Sequence, residues 1–71
     1  MDAKTKELVG IAAAVAGHCK KCFSYHYSEA KKLQIDGKDI EEVIEFAKAI
    51  RLAGNKGMDE FVDNMTSKEK T

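Results

Sequence analysis

Proline is missing from this sequence, as are a glycine-rich linker and any internal repeat. With nothing to punctuate it into separate units, a chain of 71 residues reads as one domain spanning residues 1–71, small enough for its core to be marginal without a partner. Net charge is missing too, because twelve basic residues balance twelve acidic ones. No overall field therefore draws the molecule to nucleic acid or to an anionic membrane surface. There is also no long apolar run. The longest stretch without a charge, Leu8 to Cys19, is too short and too rich in alanine and glycine to span a bilayer. Nor is there a convincing signal peptide, so the chain is expected in the cytoplasm. Strand signals are absent as well, which leaves an all-α fold.

What is present divides at Gly17, at Gln34 to Lys38 and at Gly54 to Gly57. Four helices are predicted, over about Lys4–Ala16, His18–Leu33, Asp39–Ala53 and Met58–Thr66, with a tail from Asn64 to Thr71 expected to fray. The third helix opens on Asp39 with Glu42 three residues later, a capping-box pattern. Its apolar stripe is Ile40, Val43, Ile44, Ala47 and Ile50, with Arg51 at the end, where an acidic neighbour such as Glu7 or Glu42 is a plausible partner. Phe46 and Leu52 fall outside that stripe, and the first helix is apolar all round from Leu8 to Ala16. The surplus of apolar surface predicts a homo-oligomer.

Chemistry concentrates in the second helix. At 100° per residue, Cys19, Cys22, Phe23, His26, Ala30 and Leu33 share one third of the circumference, the third that should face the core. Cys19 and Cys22 are three residues apart and His26 is four beyond Cys22, so two thiols and an imidazole line one side. A disulfide between cysteines this close removes little unfolded-state entropy, so the pair is better explained by redox chemistry than by stapling. A position in the first turn favours a thiolate, and His26 is placed to take the proton. Glu7 shares a face with Ile11, Ala14 and Val15, so it should point inward and need a partner, for which His26 is the natural candidate. The helix dipole favours Cys19 as the attacking thiol and the proton relay favours Cys22; the relay is followed here. Tyr25 and Tyr27 are expected in the core or at an interface, and His18 is expected as an exposed helix-start residue.

Two other readings compete. Cys19, Cys22 and His26 are three possible zinc ligands of a metal-binding or redox-sensing module, with His18, Glu7 or another subunit as the fourth, although zinc motifs usually bring a second ligand pair. Alternatively the cysteines are small buried hydrophobes in a structural subunit of an oligomer.

The run Cys19-Lys-Lys-Cys22-Phe-Ser-Tyr-His26, with Glu7 twelve positions before the first cysteine and the acidic start Asp39-Ile40-Glu41-Glu42-Val43 downstream, resembles the alkylhydroperoxidase D-like (AhpD-like) branch of the carboxymuconolactone decarboxylase family. The decarboxylase branch lacks the cysteine pair, and Lys21 stands where alkylhydroperoxidase D has a second histidine. The resemblance implies an all-α fold, usually assembled as trimers or hexamers; no cofactor and no bound metal are expected. It implies that Cys22 attacks a peroxide, that Cys19 resolves it as a disulfide, and that Glu7 and His26 relay the proton. The implied partners are a peroxide or disulfide substrate and a thiol or protein reductant, and the implied activity is that of a peroxidase or protein-disulfide reductase.

Overall fold

The computed structural model describes residues 1–54 and 56–69, and over them the chain is all-α, with no strand. Four helices follow in order: α1 (Ala3–Ala16), α2 (Lys20–Lys32), α3 (Gly37–Ala53) and α4 (Met58–Glu69). The helices break near each expected position, although Gly37 and Lys38 of the second break are helical and the second helix starts at Lys20 rather than His18; Asn55 within the last break lies outside the described residues, as do Lys70 and Thr71 of the tail.

Each boundary has a local cause. Asp2 caps α1, its carboxylate accepting the Thr5 N–H at 2.7 Å. The first two helices end in the same way, with a non-glycine residue in the left-handed region: His18 at φ 57° after α1 and Gln34 at φ 58° after α2. The residue after each turns its N–H back onto the helix, Cys19 to the Ala14 carbonyl at 2.9 Å and Ile35 to the Ala30 carbonyl at 3.1 Å. This is the Schellman pattern, which satisfies otherwise orphaned carbonyls and reverses the chain within three residues.

Two expectations about the ends are corrected. α3 starts at Gly37 rather than Asp39, because Asp36 is the extended residue that caps it, accepting the Lys38 N–H at 2.9 Å, while Asp39 lies in the first turn. α4 continues through Glu69, so residues 64–69 are helical rather than frayed.

α1 is the middle element and packs on both α2 and α3. That answers the all-round apolar pattern of its sequence: Ile11 is completely buried and Ala14 nearly so, while Val9 remains half exposed. Ile11, Ala30, Ile35 and Ile40 form the core, with Leu8, Phe23, Leu33, Val43 and Ile44 packed around them. Burial of a side chain such as Ile11 contributes about 1.5–3 kcal/mol. Arg51 closes the α1–α3 contact by donating from Nη1 to the Val15 carbonyl at 2.9 Å, which corrects the expected acidic partner: the carbonyl at the negative end of α1, which also accepts the His18 N–H, offers the guanidinium a fixed acceptor. α4 packs on none of the other helices among the described residues, and its Met58, Phe61, Val62 and Met65 are exposed. Phe46 and Leu52 are exposed as well, at 65% and 85%.

Candidate functional site

The reversal after α1 delivers Cys19 to the start of α2, and almost every group of that residue is committed. Its N–H is held by Ala14, its carbonyl accepts the Phe23 N–H at 3.0 Å, and its sulfur accepts the Cys22 N–H at 3.2 Å. Cys19 is therefore the N-cap of α2, with extended backbone angles, rather than a residue of its first turn. Sulfur occupies the capping position usually taken by the oxygen of serine or aspartate. Cys22, three residues on, stands 5.3 Å away between Cα atoms, and a disulfide joins the two. That spacing is within the range a disulfide needs, so helix α2 accommodates the bond without unwinding.

The expectation that both sulfurs face the core is corrected. Cys19 is half-buried but Cys22 is exposed. The reason is that the apolar stripe of α2 meets α1 through Phe23, His26, Ala30 and Leu33, while the disulfide sits at the helix end, beside the loop.

His26, one turn beyond Cys22, points across to α1. Its Nδ1 lies 2.6 Å from Glu7 Oε1, with side chains only 28% and 15% exposed. In the tautomer with the hydrogen on Nδ1, the ring donates to the Glu7 carboxylate and Nε2 is left as an acceptor. The inward glutamate read from the helical wheel thus has the histidine partner expected for it. The ring is also wedged against the backbone of α1: a Cβ added at Gly10 would lie 2.6 Å from both Cγ and Nδ1 of His26. Tyr25 presents its ring edge-on to the imidazole, with centroids 5.1 Å apart.

Gly10 was not singled out by the sequence reading. The signal available was a glycine inside a helix, where it costs about 1 kcal/mol relative to alanine, placed one turn after the inward Glu7. Tyr25 and Tyr27, expected in the core or at an interface, are exposed in the chain; Tyr27 stacks on Phe23 with centroids 5.5 Å apart, and the Lys31 ammonium lies over its ring. His18 is exposed, as expected, but in the connecting turn.

Beside the disulfide opens a cleft of about 440 Å³. It reaches the Cys19 side of the bond, with Val15 and Phe23 as apolar wall and Arg51, Lys20 and His18 as its polar edge. Among the described residues no group of three His, Cys, Asp or Glu side chains is arranged to hold a metal ion, and no helix is long and apolar enough to cross a membrane.

The arrangement supplies a two-electron store in the sulfur pair, an acceptor for one proton one turn away, and a part-buried carboxylate that fixes the acceptor's orientation. Comparison with protein families matches residues 1–56 to the model described as the carboxymuconolactone decarboxylase family. Comparison with curated proteins and with solved structures returns no match.

Proposed function

The chain belongs to the carboxymuconolactone decarboxylase family, and from that premise we propose that it is a thiol-disulfide oxidoreductase of the alkylhydroperoxidase D-like kind, reducing a peroxide at Cys22. The observation that carries this reading is the Cys19–Cys22 disulfide one helical turn from an imidazole that Glu7 holds at 2.6 Å.

In the dithiol state, the Cys22 thiol passes its proton to Nε2 of His26. The Cys22 thiolate attacks one peroxide oxygen, the O–O bond breaks, and the departing alkoxide takes the proton from His26 and leaves as an alcohol. Cys22 is now a sulfenic acid. Cys19 attacks the Cys22 sulfur, the S–O bond breaks, and the hydroxyl leaves with the Cys19 proton as water. The disulfide is the product. Two thiol equivalents from a reductant restore the dithiol and are themselves oxidised to a disulfide.

Three features support this order. Exposure of Cys22 suits the sulfur that must meet the substrate, the N-cap position of Cys19 stabilises negative charge on the resolving sulfur, and Glu7 stabilises the imidazolium that forms on His26. A pair that cycles rather than staples fits a reducing cytoplasm. The exposed Phe46, Leu52, Phe61 and Met65 are the surface by which copies of the chain assemble in this proposal.

Hydroperoxide turnover with a small dithiol as reductant tests the reading, run on the wild type beside Cys22→Ser and Cys19→Ser, with a protein-disulfide reductase assay in parallel. The wild type turns over peroxide, Cys22→Ser does not, and Cys19→Ser reacts but fails to form the internal disulfide. Equal turnover by wild type and Cys22→Ser overturns the reading.

A further inference from the structure

We infer that the cleft beside Cys19 binds a small thiol carrying a carboxylate, and that this thiol regenerates the dithiol by attacking the Cys19 sulfur of the disulfide. The inference rests on the redox reading above and adds to it the class of reductant and the side from which it enters.

The cleft has about 440 Å³, the size of a small-molecule site rather than of a protein docking surface. Cys19 is one of its walls, whereas Cys22 and His26 are not. The two sulfurs thus differ in their surroundings: Cys22 is exposed to solvent, and half-buried Cys19 lines an open cleft. A hydroperoxide reaches the former by diffusion alone. A molecule held in the latter is presented to Cys19.

The lining states the charge of that molecule. Arg51, Lys20 and His18 border the cleft, and among the described residues no carboxylate does. The Arg51 guanidinium is tied by Nη1 to the Val15 carbonyl, so its remaining N–H donors stay beside the cleft without the entropy loss of fixing a free side chain on binding. Val15 and Phe23 suit a short aliphatic spacer between the anionic group and the sulfur.

The step balances as follows. The thiolate of the ligand attacks the Cys19 sulfur, the Cys19–Cys22 bond breaks, and its electron pair leaves on the Cys22 sulfur, which is protonated through His26. A mixed disulfide between ligand and Cys19 remains. A second ligand thiol attacks the ligand sulfur of that bond, releasing Cys19 as a thiol and the ligand as its symmetric disulfide. His26 thereby acts as acid toward the same sulfur for which it acts as base in peroxide reduction.

The test compares 3-mercaptopropionate with its neutral amide as reductants of the oxidised protein, each rate being normalised to thiolate concentration. Loss of the disulfide is followed by quenched alkylation and mass spectrometry. The carboxylate thiol is expected to react about tenfold faster (about 1.4 kcal/mol), with the ratio falling toward one in Arg51→Gln and Lys20→Gln and at high salt. In Cys22→Ser, the symmetric disulfide of 3-mercaptopropionate is expected to load Cys19 faster than the neutral disulfide does. A ratio of one in the wild type, with peroxide turnover intact, overturns this inference and leaves the redox reading standing. Failure of both thiols to reduce the pair, together with absent peroxide turnover, overturns the redox reading itself.

Discussion

Gly10→Ala puts a methyl group where the structure has none to spare. The new Cβ would lie 2.6 Å from Cγ and Nδ1 and 2.8 Å from Cδ2 of His26, whereas carbon contacts settle at about 3.5–4.0 Å. The ring or the helix that carries it must therefore retreat by about 1 Å. The Nδ1 to Glu7 contact of 2.6 Å then opens beyond the limit of about 3.2 Å for a good hydrogen bond. Replacing glycine by alanine in a helix gains about 1 kcal/mol. Against that stand overpacking, at about 1–3 kcal/mol, and a largely buried carboxylate without its donor, at about 1–3 kcal/mol. The net expectation is a destabilisation of about 1–5 kcal/mol, seen as a lower Tm. Reactivity suffers more, because misplacing a proton acceptor by about 1 Å costs up to about 100-fold. The assay is alkylation of the reduced protein by iodoacetamide at neutral pH beside thermal unfolding, with Gly37→Ala as the control, since a Cβ there meets nothing within 4 Å. A Gly10→Ala protein that melts higher than wild type and alkylates at the wild-type rate would refute the claim that Gly10 exists to seat the imidazole.

Glu7→Gln keeps the shape but removes the charge that favours imidazolium, so peroxide turnover is expected to fall by about 10- to 100-fold, measured at saturating reductant. Ile11→Ala empties the one large side chain that is fully buried among the described residues and is expected to cost about 2–5 kcal/mol in denaturant unfolding. The Thr5 backbone N–H, accepted by the Asp2 carboxylate, holds that carboxyl below the ordinary aspartate range. The stability this gives α1 is present above that range and is lost as the pH falls through the lowered native value; Asp2→Asn, which caps but does not titrate, is expected to remove this part of the acid dependence of Tm. Phe46→Ser and Leu52→Ser are expected to shift the chain toward monomer in sedimentation velocity, and an unchanged sedimentation coefficient speaks against that face as the assembly surface.

The helices were legible because glycine, Asx and apolar spacing act locally. Ile40, Val43, Ile44 and Ala47 needed only a 3.6-residue period to be placed inward, whereas Ile50, assigned to the same stripe, is 51% exposed near the end of α3; Glu7 was found because a carboxylate on an apolar stripe demands a partner. The misreadings arose where the wheel argument stops applying. Cys19 has extended backbone angles, so projecting it as though it were helical gave it the burial of its neighbours, and Cys22 followed it inward on paper while the structure leaves it in solvent. The start of α3 moved because Asp36 and Asp39 both suit a cap, and what decides between them is the Schellman turn that buries Ile35 and leaves Asp36 extended. The seat of His26 on Gly10 and the bond from Arg51 to Val15 join residues 16 and 36 positions apart, which no local pattern reports.

The transfer of a proton from Cys22 to a Glu7-held His26 is tested most directly in the Cys19→Ser protein, where the sulfenic acid on Cys22 has no resolving thiol. Reduced protein is mixed with one equivalent of hydroperoxide, trapped with dimedone at successive times and mapped by mass spectrometry. The adduct is expected on Cys22, forming about 100-fold more slowly when His26→Ala is added. An adduct that forms at the same rate with and without His26, or that never forms on Cys22, contradicts the account.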